Sequence, residues 1–255
     1  MPHYYDYKTR ESRFDATLSV AKKENLLASV SEQMKIIAKP GLSVWLDNQL
    51  AEACYNEPPQ PGESLKDYIR TRKAARYKST GNPAALGTEI HKQIEVILKG
   101  GSIDDVPSDV QKYVAPAADY IAEKGFIVEA IEQIVVNKEY KFAGTVDFIG
   151  KSKSGTPFIL DWKSKKTQKG KKIQPYDENR WQLAAYAVAH FGEDRVNNHE
   201  IWAANCFVST TEFGEDGNSR FEAFSYNPQT LAQDWKTAKL IFSLYRKVTG
   251  HDPIL

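Results

Sequence analysis

Hydrophobic and polar positions divide the chain into a mostly helical first part and a mixed second part. Ser29 stands where a helix N-cap is expected, and Glu32 three residues on completes a capping box. That helix is expected to run through Ile37, before Pro40-Gly41 breaks it. Leu42, Trp45, Leu46 and Leu50 then recur at helical spacing to about Tyr55. The proline-rich stretch from Asn56 to Gly62 reads as a loop, and Leu65 to Tyr77 as a basic helix with Lys66, Arg70, Arg72, Lys73 and Arg76. Asn82 predicts an N-cap and Pro83 fits the first helical position. Leu86, Ile90, Ile94 and Ile97 form an apolar stripe that Gly100-Gly101 ends. A further helix is expected from Ser108 to Gly125, with Pro116 as a kink position.

The period then changes. Phe126 to Val136 is rich in β-branched residues and partly alternates. Tyr140 to Ile149 and Thr156 to Lys163 read as second and third strands, joined by turns short enough for hairpins. A polar, lysine-rich loop spans Ser164 to Asp177. A helix from about Asn179 to Phe191, strands near Ile201 to Ser209 and Arg220 to Tyr226, and a helix from Pro228 through Val248 complete the pattern. This order predicts a mixed α/β (α+β) fold. Residues 1–80 are expected to form a helical N-terminal extension packed on a core of residues 81–255.

Composition narrows the class. At 255 residues the chain can hold one large domain, or a domain with an appended helical part. Its 41% hydrophobic and 26% charged content is that of a water-soluble globular protein. No apolar run approaches the ~20 residues that cross a bilayer. Met1 to Asp15 carries Asp6, Glu11 and Asp15, unlike a signal or transit peptide, so a cytoplasmic location and no membrane partner are expected. Two distant cysteines, Cys54 and Cys206, exclude a disulfide framework and a four-cysteine cluster within this sequence. With a net charge of +1, any affinity for a polyanion has to come from locally concentrated charge.

One run carries chemistry. Asp147 closes the strand-like segment from Ala143, and Asp161-Trp162-Lys163 ends the apolar run Phe158-Ile159-Leu160. Asp161 and Lys163 are two apart, so a strand points both to one face. Paired carboxylates suit Mg²⁺ or Mn²⁺, which prefer oxygen ligands. Such an ion lowers the pKa of a bound water and neutralises charge growing on a phosphate, and a neighbouring lysine stabilises that charge. A salt-bridged strand end fits the same pattern. Gly87 and His91 lie one helical turn apart, and Gln182 and Tyr186 share a helix face. Singly, these fit a partly buried polar residue and ordinary helix-surface polarity.

Taken in order, Gly87-x3-His91, Gly144-x2-Asp147, Asp161-x-Lys163 and Gln182-x3-Tyr186 resemble the RecB-like branch of the PD-(D/E)XK nuclease superfamily. The resemblance covers about Gly87 to Phe191. Upstream, Ser29-Val30-Ser31, Lys39-Pro40-Gly41-Leu42 and Trp45 are similar to the N-terminal parts of phage exonucleases and the mitochondrial genome-maintenance exonuclease. The resemblance implies a restriction-endonuclease-like core, a central mixed β-sheet flanked by helices. It implies a metal-dependent DNA exonuclease acting on single strands or DNA ends, in phage or bacterial replication, recombination or repair. It implies His91, Asp147 and Asp161 as ligands of one or two Mg²⁺ or Mn²⁺ ions, with the Trp162 carbonyl as a further ligand. Asp147, Asp161 and Lys163 become the catalytic set, and Gln182 and Tyr186 the residues that support it and contact DNA. Relatives in CRISPR adaptation carry an iron-sulfur cluster; two cysteines are too few, so none is expected here.

Glu132, one strand before Asp147, and Glu95, one turn after His91, are candidates for supporting the site. Lys165, Lys166, Lys169, Lys171 and Lys172, with Arg180 after them, are candidate phosphate contacts, salt-dependent and indifferent to sequence. A solvated charged loop is the competing reading. Tyr176, Trp181 and Trp45 are candidates for stacking on bases. A non-catalytic DNA-binding module and a structure-specific endonuclease remain as alternatives.

Overall fold

In the computed structural model, which describes residues 3–37, 40–78 and 83–255, three short strands precede residue 30. They are β1 (Tyr4–Asp6), β2 (Glu11–Arg13) and, after α1 (Leu18–Glu24), β3 (Leu27–Ser29). Helices follow: α2 (Val30–Met34), α3 (Pro40–Asn56), α4 (Leu65–Lys78), α5 (Pro83–Leu98) and α6 (Ser108–Lys124). The second half runs β4 (Ile127–Asn137), β5 (Phe142–Lys151), β6 (Pro157–Lys165), α7 (Asp177–Phe191), α8 (Glu193–Asn197), β7 (Trp202–Phe213), β8 (Ser219–Tyr226) and α9 (Pro228–Thr249). The long elements match the sequence pattern closely. The early strands depart from the expected helical extension, because three residues are too few to show a period of two. Asn82 and Lys39 lie outside the described residues.

Two compact units are present, residues 37–88 and the remainder. In the smaller one α3 packs against α4. Arg72 pins the intervening loop by donating from Nε to the Glu57 carbonyl at 2.7 Å, with its guanidinium 4.8 Å from the Tyr68 ring. The larger unit holds one eight-stranded mixed sheet, ordered β2-β1-β3-β5-β6-β7-β8, with β4 also paired to β5. Helices α7 and α9 pack on each other and against the sheet, and α6 against β7 and β8.

The expected capping box at Ser29 forms by half. Ser29 Oγ accepts from the Glu32 N–H at 2.9 Å, but the Ser29 N–H goes to the His3 carbonyl. Glu32 pairs with Lys35 at 2.6 Å instead. Entry of β3 into the sheet has taken the donor that the box needed.

The feature that positions the site is a fork along β5. One edge of β5 pairs with β4 from Phe142 to Lys151. The other edge pairs in parallel with β3 at Phe142 and Ala143, then antiparallel with β6 at Phe148 to Lys151. Among the described residues, 144–147 have no strand partner on that edge. β6 continues in parallel with β7 from Phe158 to Lys165. A fork leaves backbone polar groups that side chains have to satisfy, and it opens room for them.

Behind the sheet, Glu193 accepts from Tyr140 Oη (2.6 Å), Trp235 Nε1 (2.9 Å) and Lys239 Nζ (2.6 Å). Burial pushes its carboxyl up, yet these three donors together hold it down at about 2. Glu193→Ala should therefore cost about 2–4 kcal/mol, read as a lower urea midpoint at unchanged slope. Because the folded-state pKa is depressed, this contribution is present above pH ~4.5 and is lost as pH falls towards 2.

Candidate active site

The fork is where His91, Asp147, Asp161, Lys163, Gln182 and Tyr186 meet, and these six belong to the larger unit. Asp147 lies at the end of the unpaired stretch of β5, 3% exposed. Its Oδ2 accepts from the Trp162 N–H at 2.7 Å, so a side chain takes a donor of β6 where β5 and β6 have parted. His91, on α5, brings Nδ1 to 3.5 Å from the same oxygen. Burial, and next the negative charge of Asp161, push the Asp147 carboxyl up to about 6. His91, Lys163 and the Trp162 amide oppose the shift.

Asp161 is 1% exposed on β6. Lys163, on the same strand face, sets Nζ 2.8 and 2.7 Å from its two oxygens. Trp162, between them, is buried on the opposite face with its ring towards Phe221. Lys163 Nζ also donates to Gln182 Oε1 at 3.2 Å, and Gln182 Nε2 donates to Tyr186 Oη at 2.8 Å. Tyr186 is buried against Gly144, where a Cβ would run into its ring and stand 2.9 Å from its hydroxyl. Gly144, Tyr186, Gln182, Lys163 and Asp161 thus form one continuous train, and the glycine of the motif is explained by the tyrosine of another. Gly144→Ala should displace Tyr186, costing about 1–3 kcal/mol in stability. Misplacing Lys163 through Gln182 should lower cleavage by roughly 10²-fold, checked by urea unfolding beside a single-turnover assay.

Asn205 completes the train and was not foreseen. It is fully buried on β7, in register with Asp161, and its Nδ2 donates to Asp161 Oδ2 at 3.0 Å. The only signal in the sequence is a lone asparagine within the apolar run from Trp202 to Val208, and pairing register alone says what it faces.

Glu132 sits mid-strand in β4 with φ +49°, a left-handed conformation that a glutamate adopts at a cost of about 1–3 kcal/mol. The residue as a whole is exposed, but its carboxyl end reaches among acidic neighbours. Burial first, then the charges of Asp147, Glu95 and Asp161, push it up to about 7; Lys99 opposes this. His91, Glu132 and Asp147 each offer one ligand atom, all within 4.8 Å of one another. Among the described residues this is the group of three that could hold a metal ion; Asp161, engaged by Lys163 and Asn205, is not part of it. Glu95 pairs with Lys99 at 2.5 Å.

Two expected phosphate contacts are engaged internally. Lys165 Nζ donates to the Gln174 carbonyl at 2.7 Å, and burial holds its pKa down. Arg180 pairs with Asp234 at 3.3 Å and Asp177 at 3.2 Å. Lys166 is exposed on the loop after β6. Trp45 and the basic helix α4 belong to the smaller unit.

A mixed sheet flanked by helices, with an acidic pair and a lysine gathered at a fork between strands, has the architecture of a restriction-endonuclease-like nuclease. A family model for the PD-(D/E)XK nuclease superfamily matches residues 49–239. The chain belongs to that superfamily, whose members are nucleases that act on nucleic acid and generally use divalent metal ions. A search of curated proteins finds no match. Among solved structures, the chain is similar to one titled "Crystal structure of SSO0001", at 14% identity over 80% of this chain and 88% of that one. The TM-score is 0.30, too low to carry an argument. Among the described residues no helix is long and apolar enough to cross a membrane.

Proposed function

We propose that this nuclease is a divalent-metal-dependent DNA exonuclease of the RecB-like type, hydrolysing phosphodiester bonds at single-stranded DNA or DNA ends. The observation that carries the reading is the meeting of His91 with Asp147, beside Asp161 and Lys163, at the fork of β5 and β6. A histidine on the helix before the sheet is what sets the RecB-like resemblance apart. A role in DNA replication, recombination or repair rests on that resemblance alone.

The donor set fits a divalent cation. One imidazole and two carboxylates, from His91, Glu132 and Asp147, converge within 4.8 Å, and burial, with the charges of neighbouring acids after it, pushes both carboxyls up. His91, Glu132 and Asp147 would hold the ion, with Asp161 added to them by the resemblance alone, and oxygen-rich ligation suits Mg²⁺ or Mn²⁺. A strand residue sends its N–H and C=O to the same edge, so the Trp162 carbonyl, on the edge where its N–H meets Asp147, would join the donors as the resemblance implies. Once bound, such an ion supplies an acidified water and neutralises phosphate charge. Lys163 holds a proton-rich ammonium beside the carboxylates, where negative charge grows in the transition state. Gln182 and Tyr186 fix its direction, and Asn205 fixes that of Asp161.

The test uses linear single-stranded oligonucleotides labelled at either end, with a circular single strand beside them, in Mg²⁺ or Mn²⁺. Stepwise shortening of the linear strands with the circle intact is expected. Cleavage of the circle makes the enzyme an endonuclease, and inactivity with both metals on single- and double-stranded DNA leaves a binding module.

A further inference from the structure

The segment between β6 and α7, residues 166–176, begins three residues after Lys163 and ends six before Gln182, so both its ends are tied to the site. It carries four lysines, Lys166, Lys169, Lys171 and Lys172, directly after Lys165 at the end of β6, and no acid occurs between Ser164 and Tyr176. In a chain of net charge +1 this is the local concentration of charge that a polyanion requires.

A solvated loop would be expected to hang free, and this one is strapped down. The Thr167 N–H donates to Thr211 Oγ1 at 3.0 Å, and the Thr211 hydroxyl donates back to the Thr167 carbonyl at 2.9 Å. Thr167 Oγ1 also donates to Glu212 Oε2 at 2.8 Å. Arg220 donates to the Lys171 carbonyl at 2.8 Å, and Lys165 to that of Gln174 at 2.7 Å. Ile173 is buried beneath the strap. The two cations that make these bonds, Lys165 and Arg220, point inward, while Lys169, Lys171 and Lys172 are exposed. At the far end Tyr176 is 58% exposed, with Lys165 Nζ 4.3 Å from its ring centroid. Asp161, Lys163 and Lys165 share one face of β6, so the cation against that ring is the next side chain along the site's own face.

We propose that the strap is a preformed track for single-stranded DNA, with Lys169, Lys171 and Lys172 on the phosphates and Tyr176 as a platform for one base. The inference rests on the nuclease reading and replaces Lys165 and Arg180 as the DNA contacts. Ordering the strap before binding lowers the entropy cost of capture. An unpaired base has a free π-face to offer Tyr176, and a base within a duplex has not.

The experiment measures fluorescence anisotropy of the full chain with a fluorescein-labelled 20-mer oligothymidylate and a blunt duplex of the same length, in EDTA so that nothing is cleaved. Tyr176→Ala and Tyr176→Leu should both weaken single-strand binding by roughly 5- to 150-fold, and Tyr176→Phe should bind within about twofold of wild type. The leucine variant keeps bulk without a π-face, so it separates stacking from packing of the strap. Lys171→Gln with Lys172→Gln should lower the slope of log K against log salt by about 1.4. Duplex binding should not respond to Tyr176. Wild-type affinity in Tyr176→Ala or Tyr176→Leu, or an unchanged salt slope in the double variant, overturns the proposal. If wild type cleaves oligonucleotides in Mn²⁺ while binding ignores the strap, this inference falls alone. If wild type cleaves nothing in either metal, it is the nuclease reading that falls.

Discussion

Asp161→Asn is expected to lower the cleavage rate by on the order of 10³-fold while leaving the chain folded. Asparagine keeps the shape, and its carbonyl can still accept from Asn205, so the buried amide of that residue keeps a partner. What goes is charge. Lys163 loses the carboxylate that fixes Nζ, retaining only the longer bond to Gln182. The repulsion on Asp147 goes too, and its carboxyl should move back towards the ordinary range. A thermal melt separates this from misfolding, and single-turnover cleavage reads the loss. Glu132→Gln gives the comparison: it should cost about 10- to 100-fold, most of it recovered at high metal concentration. Near-wild-type cleavage by Asp161→Asn would mean that His91, Glu132 and Asp147 make up the reacting centre by themselves.

Metal-free protein is expected to lose stability as pH rises from about 4 to about 7, and divalent metal to restore it. Asp147 and Glu132 have folded-state pKa values of about 6 and about 7, above their unfolded values of 3.8 and 4.5. In that window the folded chain holds protons the unfolded chain has released, so stability falls with rising pH. A bound cation replaces those protons. At a hundredfold excess over its Kd it adds about 2.7 kcal/mol, a rise in Tm of roughly 5–10 °C. At pH 5 the same ion has to displace protons first, and the rise should shrink. Asp147→Asn should flatten the pH slope and remove the metal response. Differential scanning fluorimetry with Mg²⁺ or Mn²⁺ at pH 5 and 7.5 gives the answer, and no shift with either ion at pH 7.5 removes the metal site.

The motif residues were legible because each is set by a short period. Asp161 and Lys163 sit two apart on a strand, Gln182 and Tyr186 four apart on a helix, and His91 one turn after Gly87 on another. Local rules carry such spacings directly into shared faces. The early strands were not legible, since three residues show no period, and β1 and β3 are strands only because the sheet beside them supplies hydrogen-bond partners.

Other parts of the site depend on pairing between segments far apart in sequence. Asn205 meets Asp161 across 44 residues through the parallel register of β6 and β7. Lys165 and Arg180 looked like cations for DNA, and the fold turns both on internal acceptors. Glu132 enters the cluster through a left-handed residue that no propensity selects. The sequence by itself determined which side chains can do metal-assisted phosphodiester chemistry, because residue type and local period are one-dimensional. Only the tertiary structure decided which of them meet, because β5 forks between β3 and β6, and what fills that fork is set by strand register and burial.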